Sequence, residues 1–212
     1  MNRHRRTLVA ALTLSPLLAR AQVPGESYST LRKPLPIETP GKIEVVEFFW
    51  YGCIHCYHFE PLLEAWVPKL KPDTQFRRIP AVFDDPRFVH DAAIFYSFDA
   101  MGLLPKLHRP LFDEIHVNRM RTNNREVFDA WLATKGVDPK KFEATMNSFG
   151  VQTKVKRAAQ LTAGAAIDGT PALAVQGRYT ISAEQGHTQE GMLATASQLI
   201  DLVRRQGTAA AK

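Results

Sequence analysis

The chain has 212 residues, 45% apolar and 23% charged, which suits one domain with a buried core and excludes a disordered, charge-rich segment. Its net charge of +6 comes from 27 basic and 21 acidic residues. Four of those arginines (Arg3, Arg5, Arg6 and Arg20) fall in the first 21 residues; without them the balance is 23 against 21, or +2, and the case for nucleic-acid binding largely disappears.

In chain order, Arg3 to Arg6 form a basic start, Thr7 to Leu18 an apolar stretch too short to span a bilayer, and Ala19-Arg20-Ala21 a small-x-small cleavage pattern. Residues 1–21 therefore read as a secretory signal peptide whose removal leaves Gln22 as the mature start. No later run approaches the ~18 apolar residues of a membrane span, so an exported, soluble protein of roughly 190 residues is expected. Tyr28 to Pro40 is proline-rich and reads as an extended lead-in with at most a short edge strand. Ile43 to Trp50 is a nearly continuous β-branched and aromatic run, as in a central strand buried on both faces. A helix is expected from Cys53 to about Val67, with Leu62, Leu63 and Trp66 facing inward and Pro61 kinking it, and a second strand over Thr74 to Ile79.

From Asp85 to about Ala166 the pattern is helical throughout. Phe88, Ala92, Phe95 and Phe98 line one face up to Gly102, and Leu103 to His116 follows with proline interruptions. Asn123 or Asn124 caps a helix carrying Val127, Phe128, Trp131 and Leu132; Asp138-Pro139 starts another that should stop at Gly150, and Val151 to Ala166 completes the set. Phe88, Phe95, Phe98 and Trp131 are expected in the core of this part, Trp50 in core or site-rim packing. Strands return at Pro171 to Val175 and Arg178 to Ile181, joined as a hairpin through Gln176-Gly177. Thr188 can cap a last helix, with a frayed tail from Gly207. About 80 helical residues between two sheet-forming stretches read as an inserted subdomain.

Only two cysteines occur, Cys53 and Cys56, at the junction of the first strand with its helix. A bridge between residues so close would constrain the unfolded chain little, so the pair is a poor staple and a better redox switch. A thiol at a helix start faces unpaired N–H groups and is acidified by them, which makes Cys53 the nucleophile. Cys56, one turn later and less exposed, is then the resolving thiol. His55, between them, can donate a hydrogen bond or positive charge to the thiolate. Haem attachment would need histidine where Tyr57 stands. Zinc would need a second spaced ligand pair, and none follows. His90, His108, His116 and His187 are scattered singly and read as solvated or capping residues. Asp168-Gly169-Thr170-Pro171, taken alone, is an ordinary Xaa-Pro at a strand start.

Together, Val46 to Glu60 around the cysteines and Gly169-Thr170-Pro171-Ala172 further on resemble the DsbA family of bacterial thiol:disulfide interchange proteins. One departure is Ile54, where that family usually has proline; His55 is retained. The resemblance implies an α/β, thioredoxin-like fold (22–84 and 167–212) with an inserted all-helical domain (85–166). It also implies a periplasmic protein disulfide oxidoreductase with a strongly acidic Cys53, more stable reduced than oxidised. Such a protein donates its Cys53–Cys56 disulfide to unfolded secreted proteins through a mixed disulfide. It works as a monomer, needs no metal or other cofactor, and is reoxidised by a quinone-linked, DsbB-like membrane partner. Thr170 and Pro171 would form the cis-proline loop, with the Thr170 backbone pairing with extended substrate. Glu47 matches the family's buried acid and is either a proton acceptor for Cys56 or a tolerated carboxyl. An exported disulfide isomerase or reductase, and a non-enzymatic metal carrier using the cysteine pair, are the alternatives.

Overall fold

The computed structural model of the protein describes residues 26–210; the segment read as a signal peptide lies outside them. Five strands form one mixed sheet: β1 (Ser29–Thr30), β2 (Ile43–Phe49), β3 (Thr74–Pro80), β4 (Ala172–Val175) and β5 (Tyr179–Ser182), in the order β1-β5-β4-β2-β3. β2 and β3 run parallel, and the remaining pairs are antiparallel. All seven residues of β2 are buried, which explains its unbroken run of large side chains. Val45, Leu173, Val175 and Ile181 pack under α1 (Ile54–Trp66) and, beyond the four-residue α7 (Ala183–Gly186), α8 (Gln189–Ala210), together with Phe59, Leu63, Met192 and Leu199. Val46, Phe48, Ala172 and Ala174 turn the other way, onto Ala158 and Leu161 of α6 (Phe149–Gly164) and its C-cap Ala165. The hairpin between β4 and β5 turns on Gln176 and Gly177, both at positive φ (52° and 58°). Gly177 also lies so close to the lead-in segment that a Cβ there would sit 2.6 Å from the Leu35 carbonyl oxygen.

Between β3 and β4 the chain forms α2 (Pro86–Ala100), α3 (Leu104–His116), α4 (Arg125–Thr134), α5 (Pro139–Met146) and α6. Side chains of Asp85, Asn124, Asp138 and Ser148 cap α2, α4, α5 and α6 by accepting from first-turn N–H groups. Phe95, Phe98, Leu111, Phe112, Phe128, Trp131, Leu132 and Phe142 fill the core of this unit, and that core continues through Phe49 and Tyr51 to Cys53 and Cys56. The redox turn is thus packed into the helical insertion as well as onto the sheet.

Several expectations need correction. α1 buries Cys56, Phe59, Glu60 and Leu63, while Leu62 and Trp66 sit at the edge of the core, because the helix is rotated to place an acid inward. Phe88 is half-buried against Trp50 and Phe83. Gly150 does not stop a helix: Ser148 caps α6, and Gly150 lies in its first turn. α8 continues past Gly207 to Ala210. His108 is buried and His116 bonds a backbone carbonyl, so neither is solvated or a cap.

Candidate active site

The turn Trp50-Tyr51-Gly52 delivers Cys53 to the mouth of α1, closed by Cys53 N–H donating to the Trp50 carbonyl at 3.0 Å. Gly52 is required there, since a Cβ would meet the Trp50 ring at 2.3 Å. Cys53 is the N-cap residue of α1, and its sulfur accepts the Cys56 N–H at 3.3 Å. The same sulfur lies 3.2 Å from the Thr170 carbonyl, to which the thiol can donate, and the Thr170–Pro171 peptide is cis. Donation to that carbonyl favours the neutral thiol. The opposing contacts are stronger: hydrogen bonds from the Cys56 thiol, the Thr170 side chain and the N–H groups of Cys56 and His55 outweigh burial and hold the Cys53 pKa down at about 5. Cys56 behaves oppositely. Burial first, then its bond to Cys53 and the nearby Cys53 and Glu47 charges, push its thiol well above the ordinary range. Cys53 is 9% exposed and Cys56 0%.

Beneath the pair lies a polar cluster inside the core. Glu47 and Arg78 are register partners on β2 and β3, and Glu60 comes down from α1. Arg78 grips Glu60 with two hydrogen bonds, Nε at 3.1 Å and Nη2 at 2.8 Å. Its Nε is also 3.1 Å from Glu47, but outside hydrogen-bonding geometry, so both Glu47 oxygens lack a hydrogen-bond partner among the described residues. Burial, reinforced by the Glu60 charge, pushes the Glu47 carboxyl up to about 8 against the pull of Arg78. Burial acts to raise Glu60 as well, but His108 and Arg78 outweigh it and hold that carboxyl below its ordinary value. Arg78 is the partner that matters at neutral pH, because burial keeps the His108 pKa low and the ring uncharged. A neutral His108 still satisfies the cluster: Nε2–H donates to Glu60 at 3.2 Å while Nδ1 accepts from the Tyr51 hydroxyl at 2.8 Å. The cluster thus holds one paired anion, Glu60, and one uncharged acid, Glu47, at pH 7.

The His55 side chain is exposed and lines a cleft with His58, Pro171 and His187; its influence on the Cys53 sulfur runs through its peptide N–H. A second cleft runs along Asp168 to Ala172. Among the described residues, no three His, Cys, Asp or Glu side chains are grouped to hold a metal ion, and no helix is long and apolar enough to cross a membrane.

The DSBA-like thioredoxin domain matches residues 44–196. The chain belongs to the DsbA family. The thiol:disulfide interchange protein DsbA of Burkholderia cepacia is 38% identical over 205 residues, spanning 94% of each chain. That of Bordetella pertussis is 40% identical over 194 residues, covering 90% of this chain and 92% of the relative. The crystal structure of Pseudomonas aeruginosa DsbA superposes with a TM-score of 0.80 at 37% identity, covering 89% of this chain and 96% of that one. The protein is thus a thiol:disulfide interchange enzyme with the thioredoxin-like DsbA fold and its helical insertion.

The structure brings Cys53, Cys56, Thr170 and Glu47 together; His55 and Pro171 share a cleft wall. The sequence reading gave Glu60, Arg78 and Tyr51 of this DsbA-family protein no role and took His108 for a solvated or capping residue. Glu60 follows Cys53 by seven residues and Cys56 by four, spacings that share a helix face, so its inward position was open to inference. Arg78 and His108 carry no such local signal, because only strand pairing and the packing of α3 bring them to the cluster.

Proposed function

We propose that this DsbA-family protein is a periplasmic oxidase that donates the Cys53–Cys56 disulfide to unfolded secreted proteins. A client thiolate attacks the Cys53 sulfur; the Cys53–Cys56 bond breaks, and its electron pair leaves on Cys56, which takes up a proton. A second client thiolate then attacks the client sulfur of the mixed disulfide, and Cys53 departs as a thiolate. The client gains one disulfide and the protein two electrons, which a quinone-linked, DsbB-like membrane partner removes. Both redox equivalents reside on the two sulfurs, so no metal or other cofactor takes part, and the enzyme works as a monomer.

The observation that carries this reading is the split between the two thiols, with Cys53 held at about 5 and Cys56 well above its ordinary range. A stable leaving thiolate at Cys53 drives the second exchange forward and favours the dithiol over the disulfide. Thr170 and Pro171 form the loop against which the client lies, the Thr170 backbone pairing with it as an added strand. His55 supports the thiolate. Glu47, uncharged at pH 7 in the dithiol protein, relays a proton inward to Cys56 as the disulfide opens and outward again on reoxidation.

Equilibration with glutathione buffers tests the proposal. The expected result is a potential well above the thioredoxin range of about −270 mV. A potential in that range would instead assign the protein as a reductase.

A further inference from the structure

A third cleft, about 570 Å³ in volume, opens against the redox turn and shares no lining residue with the cleft of His55 and Pro171. Its walls come from Trp50 and Gly52, the start of α2, Ile115 near the end of α3, and residues 120–123. Trp50 is a fixed wall. Its indole N–H donates to Asp91 at 2.7 Å, its ring centroid lies 4.5 Å from that of Phe88, and its six-membered ring rests on Gly52, next to Cys53 in the chain. Asp91, 6% exposed, also accepts from the Thr122 hydroxyl at 2.7 Å, so both of its oxygens are engaged and it offers none to a ligand.

The remaining charge at the rim is basic. Arg87 is paired with Asp85 at 2.8 Å and lies over the Trp50 ring, and His90 bonds the Thr122 carbonyl. Arg121 is exposed and makes no ion pair among the described residues. The cleft therefore combines an apolar floor of Trp50, Ile115 and Met120 with an uncompensated guanidinium, and its one lining carboxylate is already satisfied.

We propose that this cleft is a subsite for the client polypeptide beside the cysteine joined to Cys53, and that Arg121 selects an aspartate or glutamate there. The inference rests on the oxidase reading. An extended client advances about 3.3 Å per residue from the mixed disulfide, so side chains within a few positions of its cysteine are delivered along the redox turn. An exposed Arg–carboxylate contact is worth about a two- to five-fold rate preference, falling with salt.

The test is stopped-flow oxidation of dithiol peptides carrying Glu or Gln at each of four positions on either side of the attacking cysteine. Wild-type protein is compared with Arg121→Gln and Arg121→Lys. At one or more positions the Glu peptide should react about two- to five-fold faster. The advantage should vanish in Arg121→Gln, persist in Arg121→Lys and shrink in high salt, with the Cys53 thiolate titration unchanged in both variants. Normal oxidation of every Gln peptide with no Glu advantage, or an advantage that survives Arg121→Gln, overturns the subsite alone. Failure to oxidise the Gln peptides overturns the oxidase reading and the subsite with it.

Discussion

Cys53 and Cys56 stand one helical turn apart, yet their surroundings push them in opposite directions. Above, Cys53 meets donors: the helix N-terminus, the Cys56 thiol and the Thr170 side chain. Below, Cys56 meets apolar packing and the Glu47 carboxyl. The difference shows that a C-x-x-C pair gains its chemistry less from spacing than from being set across a boundary, one sulfur at the rim and the other in the core.

The most severe break in that asymmetry is to remove either sulfur. Cys53→Ser should abolish oxidation of client dithiols. Cys56→Ser has no disulfide to donate, but its Cys53 thiolate should attack disulfide-bonded clients, release one client thiolate and stay trapped as a mixed disulfide, which non-reducing electrophoresis would reveal. Mixed disulfides trapped to the same extent by Cys53→Ser would erase the assigned roles.

Next in size is Glu60→Ala, which strips Arg78 of its two hydrogen bonds and leaves a buried guanidinium with only Glu47. Losing one partner of such a pair costs about 3–5 kcal/mol, measurable in a denaturant melt, and Glu47 should then ionise more readily as the remaining partner. Glu47→Gln tests the other acid with the opposite sign. A carboxyl raised to about 8 in the folded state binds a proton that the unfolded chain gives up, so folding stability falls as pH rises from about 4.5 to about 8. The amide removes that loss and should stabilise the protein by about 1–3 kcal/mol at pH 7, while slowing proton transfer at Cys56.

The thiolate gives the smallest but most direct measurement. With its folded pKa near 5, below that of the unfolded thiol, Cys53 stabilises the reduced protein fully only above about pH 8.5, and loses this contribution as pH falls through about 5. At pH 7 it amounts to on the order of 2 kcal/mol after solvent screening, so the reduced form should melt at higher denaturant than the oxidised form. Thiolate absorbance at 240 nm should rise with a midpoint near pH 5. A midpoint near 8.5 would remove the upper half of the asymmetry.

Much of this was legible in the chain. The run Ile43 to Trp50, the cysteines at its end and the helical stretch before Pro171 were enough to expect a buried strand, an acidic thiol and an inserted helical unit, because each signal is local. The lower half of the site was legible only in part, in Glu47 through the family resemblance and in Glu60 through its helix spacing, and its partners were not. Glu60 sits among polar and apolar neighbours that give no sign of its partners, and His108 comes from a helix 48 residues further along. Burial of a charge depends on who pays its desolvation, and here that partner is Arg78, brought close only when β3 pairs with β2.

Tyr51 is held at both ends by one helix: His108 of α3 takes its hydroxyl at 2.8 Å and His116 of the same helix bonds its carbonyl at 2.8 Å. The loop bearing the reactive sulfur is therefore bolted to the insertion rather than resting beside it. A compound that prised α3 outward would drag Tyr51 with it and silence the thiol from a distance, leaving the sulfur itself untouched.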